Sequence, residues 1–196
     1  MRWVSDAIRI GSQQHVMQER TRLVKQILET KRLLIRQYTM EDLESLNHIL
    51  SDSITMSFWP SPFTIEQTEQ WLNRNIESYN NNGYGRWGLE LKDNGELIGD
   101  VGIVKTEING QPEFDLGYII FTKYWNQGLA FEAAQACLQY GLNDLNLRRI
   151  CVNMPNNHVA SMRVAERLGM VLEKQFINQR NRNILTNLFI RVSSDR

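Results

Sequence analysis

Gly117-Tyr118-Ile119-Ile120-Phe121-Thr122-Lys123-Tyr124-Trp125-Asn126-Gln127-Gly128-Leu129-Ala130 passes from an alternating, strand-like run through a short loop to a glycine that opens an Ala-rich helix. Unpaired N–H groups at such a helix start form an anion site, assisted by the positive end of the helix dipole. Gly128 lets a ligand approach where any Cβ would intrude, and Ala130 keeps the next turn slim. The expectation is a phosphate-bearing cofactor. The wording excludes two familiar phosphate loops: there is no glycine ahead of a Gly-Lys-Ser/Thr triplet, and no G-x-G-x-x-G.

Further along stands Ala160-Ser161-Met162-Arg163-Val164-Ala165-Glu166-Arg167-Leu168-Gly169-Met170. Met162, Ala165 and Leu168 repeat at helical spacing, and Gly169 sits where a left-handed cap would end the helix. The first stretch resembles the acetyl-CoA pyrophosphate loop of the GNAT acetyltransferases, Gln/Arg-x-x-Gly-x-Gly/Ala. Trp125 takes its first position, as in the Tyr-Trp-x-x-Gly-x-Ala wording of the branch similar to ribosomal-protein N-terminal acetyltransferases. The second stretch resembles the family's Ala-Ser-x-Arg-Val-x-Glu-Lys-Leu-Gly-Phe/Met. The resemblance runs from about residue 29 to residue 192.

It implies an α+β fold, a mixed and mostly antiparallel twisted sheet flanked by helices. It also implies acetyl-CoA as co-substrate and transfer of the acetyl group to a primary amine. The acceptor would be a protein N-terminal α-amine or a small-molecule amine. Residues 29–196 are expected to form this domain and residues 1–28 an N-terminal extension.

Composition agrees with one soluble enzyme domain. The chain has 196 residues, enough for a proper core. Lys plus Arg and Asp plus Glu are 22 each, and this balance draws the protein toward neither nucleic acid nor anionic membrane. No apolar run reaches a membrane span and no signal-like apolar region opens the chain, so the cytoplasm is expected. Cys137, in the Ala-rich helix, and Cys151, in an apolar strand, read as small core residues. His15, His48 and His158 are scattered, and no metal site is expected.

Val16, Leu23, Val24, Ile27 and Leu28 could line one face of a helix, packed on the domain or forming an arm for a homodimer. Beyond it, residues 33–38 read as a strand, and Thr39-Met40-Glu41-Asp42 and Thr64-Ile65-Glu66-Gln67 as helix starts. Ser57-Phe58-Trp59-Pro60-Ser61-Pro62-Phe63 between them is a rigid aromatic loop. Strands at 86–91 and 97–104 turn at Asp93-Asn94-Gly95, and Asn109-Gly110 precedes a strand at 114–120. A strand at 149–153, the Ser161 helix and two last strands complete the order.

The chemistry implied is attack of a neutral amine on a thioester, with no covalent enzyme intermediate. A carboxylate can take the amine's proton, directly or through water. Asp115 matches the acidic position of the family's Glu-x-Gly-Tyr strand and, by alternation, shares a face with Gly117 and Ile119. It is the first candidate base; the alternative is a structural carboxylate answering an Arg. Glu113, on the other face or in the loop, is the reserve.

The resemblance places Tyr118, Ile119 and Ile120 along the pantetheine arm. It gives the pyrophosphate to the N–H groups of Trp125, Asn126, Gln127, Gly128, Leu129, Ala130 and Phe131. Ser161 matches a serine near the CoA sulfur cast as general acid; a helix N-cap is the other reading. Where the family has Asn against the pantetheine, the chain has His158, with Asn157 just before it. Phe58, Trp59 and Tyr84 are candidates for the acceptor wall, with Phe63 beside them and Trp71 either wall or core. A pocket that is aromatic rather than strongly acidic disfavours a polycationic acceptor. A non-catalytic CoA-binding sensor is the competing class. Arg148-Arg149 and residues 180–182 offer only short basic runs, suited to solvated surface or an adenosine 3′-phosphate.

Overall fold

The computed structural model describes residues 24–193. Its strands are β1 (Gln26–Glu29), β2 (Leu33–Arg36), β3 (Arg86–Leu91), β4 (Leu97–Ile108), β5 (Gln111–Ile120), β6 (Arg149–Pro155), β7 (Val171–Asn178) and β8 (Ile184–Val192). They form one sheet in the order β1-β2-β3-β4-β5-β6-β8-β7. Every neighbouring pair is antiparallel except β5 with β6. The helices are α1 (Leu43–Leu50), α2 (Ile65–Asn82), α3 (Leu129–Asn143) and α4 (Val159–Arg167). This is the α+β, mostly antiparallel architecture expected.

Both predicted helix starts carry caps. The Thr39 N–H donates to Asp42 Oδ2 at 2.9 Å, ahead of α1. At α2 the Thr64 N–H donates to Gln67 Oε1 at 2.8 Å, and the Gln67 N–H donates back to Thr64 Oγ1 at 3.3 Å. Each cap contributes on the order of 1 kcal/mol by satisfying N–H groups that the helix leaves open.

Adjacent strand residues face opposite sides of a sheet, and Arg86 and Trp87 show what covers each. Asn75 of α2 accepts from the Arg86 N–H, and the Arg86 guanidinium lies 5.6 Å from the Trp71 ring centre. Trp87 meets Tyr140 of α3 edge-on at 5.7 Å. Following the register, Val101, Ile103, Leu116 and Tyr118 share Trp87's face, whereas Asp100, Asp115, Gly117 and Ile119 share Arg86's. Leu33, Trp87, Val101, Ile103, Leu116 and Ile150 are fully buried in the core.

The expected N-terminal helix lies largely outside the described residues. At its end the structure corrects the expectation: Gln26–Glu29 is a strand on β2, not a helical turn. The turn that begins at Thr30, whose N–H donates to Leu33 O at 2.9 Å, folds this segment back so that Ile27 and Leu28 pack on the core in extended form. Cys137 and Cys151 are both free and buried.

A seam interrupts the sheet. β5 and β6 pair at Asp115↔Cys151 alone. Past it, β5 stays on β4 as far as Ile120↔Gly99, while β6 stays on β8 as far as Pro155↔Thr186. Residues 117–120 thus have no ladder partner on the β6 side, and the gap opens through the sheet.

Candidate active site

A cleft of about 750 Å³ occupies this gap, lined by β5, β6, the loop before α3 and the start of α4. At one end, the chain leaves β5 and turns through Asn126 and Gly128, both left-handed at φ 60 and φ 76. Trp125 Nε1 donates to Ile120 O at 2.6 Å, pinning this loop to the strand end. Arg32 braces it from outside, donating to Gln127 O at 2.9 Å while its Nε reaches Glu132 at 2.7 Å. Burial opposes ionisation of Glu132, but donors from Thr30 and Arg32 outweigh it and hold the carboxyl below its usual range. A Cβ on Gly128 would meet nothing nearer than Arg32 at 3.8 Å, whereas the Trp125 N–H, one of those expected to hold a pyrophosphate, is already taken by Thr122 O at 3.1 Å.

On the α3 face of the sheet, Ser161 Oγ lies 2.8 Å from Tyr118 Oη, which also donates to Ser161 O at 3.2 Å. Burial pushes the Tyr118 phenol up. The cap of α4 is His158, so Ser161 stands inside the helix and the N-cap reading of it is corrected. His158 stacks on Phe58 with ring centres 3.6 Å apart, and its Nδ1 is buried without a partner among the described residues. Burial lowers its pKa to about 4, so the ring is neutral at pH 7.

On the α2 face, Asp115 accepts from Asn153 Nδ2 at 3.0 Å. Burial raises its carboxyl above the ordinary range, offset in part by Asn153 and by the charge of Arg86. Among the described residues no arginine pairs with it directly, unlike the structural alternative considered for it. Glu113, by contrast, lies within β5, not in a loop, and on the same side of the strand as Asp115. It is held by Arg149 at 2.8 and 2.9 Å, and Arg149 also takes Glu173, which leaves Glu113 outside the cleft.

An aromatic wall is assembled from Trp59, Phe63 and Trp71, packed edge-on with centres 5.8 to 5.9 Å apart, and Trp59 and Trp71 line the cleft. Asn181 Nδ2, in the β7–β8 turn, donates to Phe58 O at 2.9 Å and ties this wall across the opening.

Residues 32–171 match the family described as Acetyltransferase (GNAT) domain. The chain belongs to the GNAT family. It is 33% identical over 150 residues to the N-acetyltransferase YnaD of Bacillus subtilis (strain 168), covering 76% of this chain and 85% of that one. A GNAT acetyltransferase structure from Bacillus anthracis superposes with a TM-score of 0.72 at 29% identity, covering 84% and 97%. RimL, a ribosomal L7/L12 α-N-protein acetyltransferase solved with coenzyme A, shares the fold: TM-score 0.68, 17% identity, coverage 86% and 98%. This GNAT chain is thus an N-acetyltransferase.

Of the residues singled out in the sequence, Phe58, Trp59, Asp115, Ser161, Asn157 and His158 meet in this GNAT cleft with the β5 edge and the Trp125 loop. Two do not. Tyr84 packs edge-on against Phe114, 6.2 Å between centres, and Gln127 turns its carbonyl to Arg32; neither lines the cleft. Tyr84 follows the left-handed Gly83 that ends α2, and its carbonyl accepts from Ser78, which sets it away from the wall. Sequence reasoning missed Arg86, Asn153, Arg163 and Arg167, all lining the cleft. The i, i+4 spacing of Arg163 and Arg167 was a usable signal; a lone strand arginine such as Arg86 gave none.

Proposed function

We propose that this enzyme transfers the acetyl group of acetyl-CoA to a primary amine, a protein N-terminal α-amine or a small-molecule amine, by direct attack on the thioester. The observation that carries the reading is the gap between β5 and β6, with a carboxylate on one face of the sheet and a hydroxyl pair on the other. The residues fit the co-substrate in three respects. The free edge at Tyr118, Ile119 and Ile120 can pair with an amide-bearing arm as an added strand would. His158 lines the same gap in the place of the expected Asn, and its buried Nδ1 has no partner among the described residues. The N–H groups from Asn126 to Phe131, beside Gly128, suit a pyrophosphate, and Arg163 and Arg167 add positive charge to the same cleft.

Acetyl-CoA supplies an activated acyl carbonyl. Asp115 takes the proton of the acceptor ammonium, directly or through water, with Asn153 fixing the orientation of its carboxylate. The aromatic wall excludes water and leaves the amine's own side chain to be sorted by shape. Ser161, held by Tyr118, stands on the opposite face to return a proton to the leaving sulfur. The test is CoA release from acetyl-CoA by purified protein over a panel of amines and peptides, with melting temperature followed in parallel. Release with at least one amine supports the reading. Stabilisation by acetyl-CoA without release from any amine would instead favour a CoA sensor.

A further inference from the structure

Arg86 opens β3 at the floor of the cleft and is only 4% exposed. Its Nε and Nη2 lie against the fully buried Asp100. Asp100 also accepts from Tyr38 Oη at 2.9 Å and Trp71 Nε1 at 3.0 Å, so the carboxylate, and the guanidinium plane with it, is locked. Nη2 is buried in the ion pair with Asp100, whereas Nη1 makes no hydrogen bond among the described residues. Nη1 rests on Gly117, where a Cβ would collide with it. Gly117 is two residues from Asp115 on the same face, about 7 Å along the strand. The floor therefore presents an unsatisfied donor and a carboxylate one pleat apart.

Arginine donors left open in a buried site are costly unless something supplies an acceptor. An amine poised at Asp115 brings its neighbouring carbon toward Arg86. We propose that Arg86 is a specificity-determining residue whose guanidinium binds the oxygen of a carbonyl group attached to the carbon that bears the reacting amine. The inference rests on the acetyl-transfer reading of this cleft. The Arg86 charge is already matched by Asp100, and Asp115 adds a further carboxylate. A neutral carbonyl therefore fits the site better than a second anion, and an alkylamine without the oxygen leaves the donor unpaired.

Alaninamide, alanine and isopropylamine share a skeleton and differ at this oxygen. Two readouts apply to the full chain, each at equal concentrations of neutral amine. One is CoA release; the other is fluorescence of Trp59 and Trp71 on acceptor binding in the presence of CoA. The expected result is a preference for alaninamide over isopropylamine of about tenfold or more, the scale of one charge-assisted hydrogen bond, with alanine below alaninamide. Arg86→Met brings the ratio to within about twofold. Gly117→Ala, whose Cβ would take the space of Nη1, does the same and decides the matter if Arg86→Met fails to fold. A wild-type ratio near one, a ratio unmoved in Gly117→Ala, or a preference for alanine overturns the proposal. A fluorescence preference that depends on Arg86, without CoA release from any amine, would overturn acetyl transfer and leave this assignment standing.

Discussion

Replacing Asp115 by Asn removes a charge and keeps a shape, because Asn153 can still donate to the remaining oxygen. An α-amine with a pKa of about 8 is roughly one-tenth neutral at pH 7 and roughly nine-tenths neutral at pH 9. Without a base, turnover must draw on that neutral fraction. Asp115→Asn is expected to lower kcat/KM at pH 7 by about 10²- to 10⁴-fold and to regain about ninefold between pH 7 and pH 9. Stability moves the other way. Burial raises the Asp115 carboxyl above its ordinary 3.8, so the fold prefers the protonated form. Stability linked to this group is complete below the unfolded value and is lost as pH rises through the folded one. The variant lacks a carboxyl whose ionisation the fold opposes, so it gains in melting temperature relative to the wild type as pH rises through the folded value, and the difference closes as pH approaches 3.8. Steady-state CoA release over pH 6–9 and melting curves over pH 3.5–8 measure both effects. A pH-independent loss of activity with a lowered melting temperature would refute the role of Asp115 as base.

Three further outcomes are expected. Ser161→Ala should lower kcat at nearly constant acetyl-CoA affinity, as should Tyr118→Phe to a smaller extent; normal kcat in both would remove the hydroxyl pair from the chemistry. Gly128→Val forces a β-branched residue to φ near 76 and fills the space before the loop. It should abolish the rise in melting temperature caused by acetyl-CoA, and an unchanged rise in a folded variant would sink the loop assignment. His158, depressed to about 4 from 6.5, contributes stability present above pH 6.5 and lost as pH falls toward 4. His158→Asn should flatten that acid limb while retaining acetyl-CoA binding, and an unaltered limb would mean the ring is not what titrates.

The helix starts at Thr39, Thr64 and Gly128 were legible because capping and backbone freedom are local properties of a few residues. Alternation likewise put Asp115 and Gly117 on one face before any pairing was known. What sequence could not supply was the third dimension of single polar residues. Arg86 and Asp100 are far from Trp71 and Asp115 in spacing, and only the register of β3, β4 and β5 brings them together beneath the aromatic wall. Ser161 looked like a cap because serine commonly is one; Pro155 and His158 instead close that turn, with the His158 N–H donating to Pro155 O at 2.9 Å. Glu113 is taken by Arg149, 36 residues on in the sequence, and spacing alone does not show that pairing.

The single rung at Asp115↔Cys151 also has a mechanical meaning. Backbone hydrogen bonding divides this molecule into a five-stranded half and a three-stranded half, stitched at one point and bridged over by α3 and α4. A ligand laid along the open edge would act as the missing stitching, adding rungs where the protein has none. Local opening should therefore be easiest along this line in the free protein and be suppressed there first when acetyl-CoA binds. Asp115 sits at the last closed rung, so its carboxylate is carried by the part of the strand that need not move while the gap beside it fills and empties.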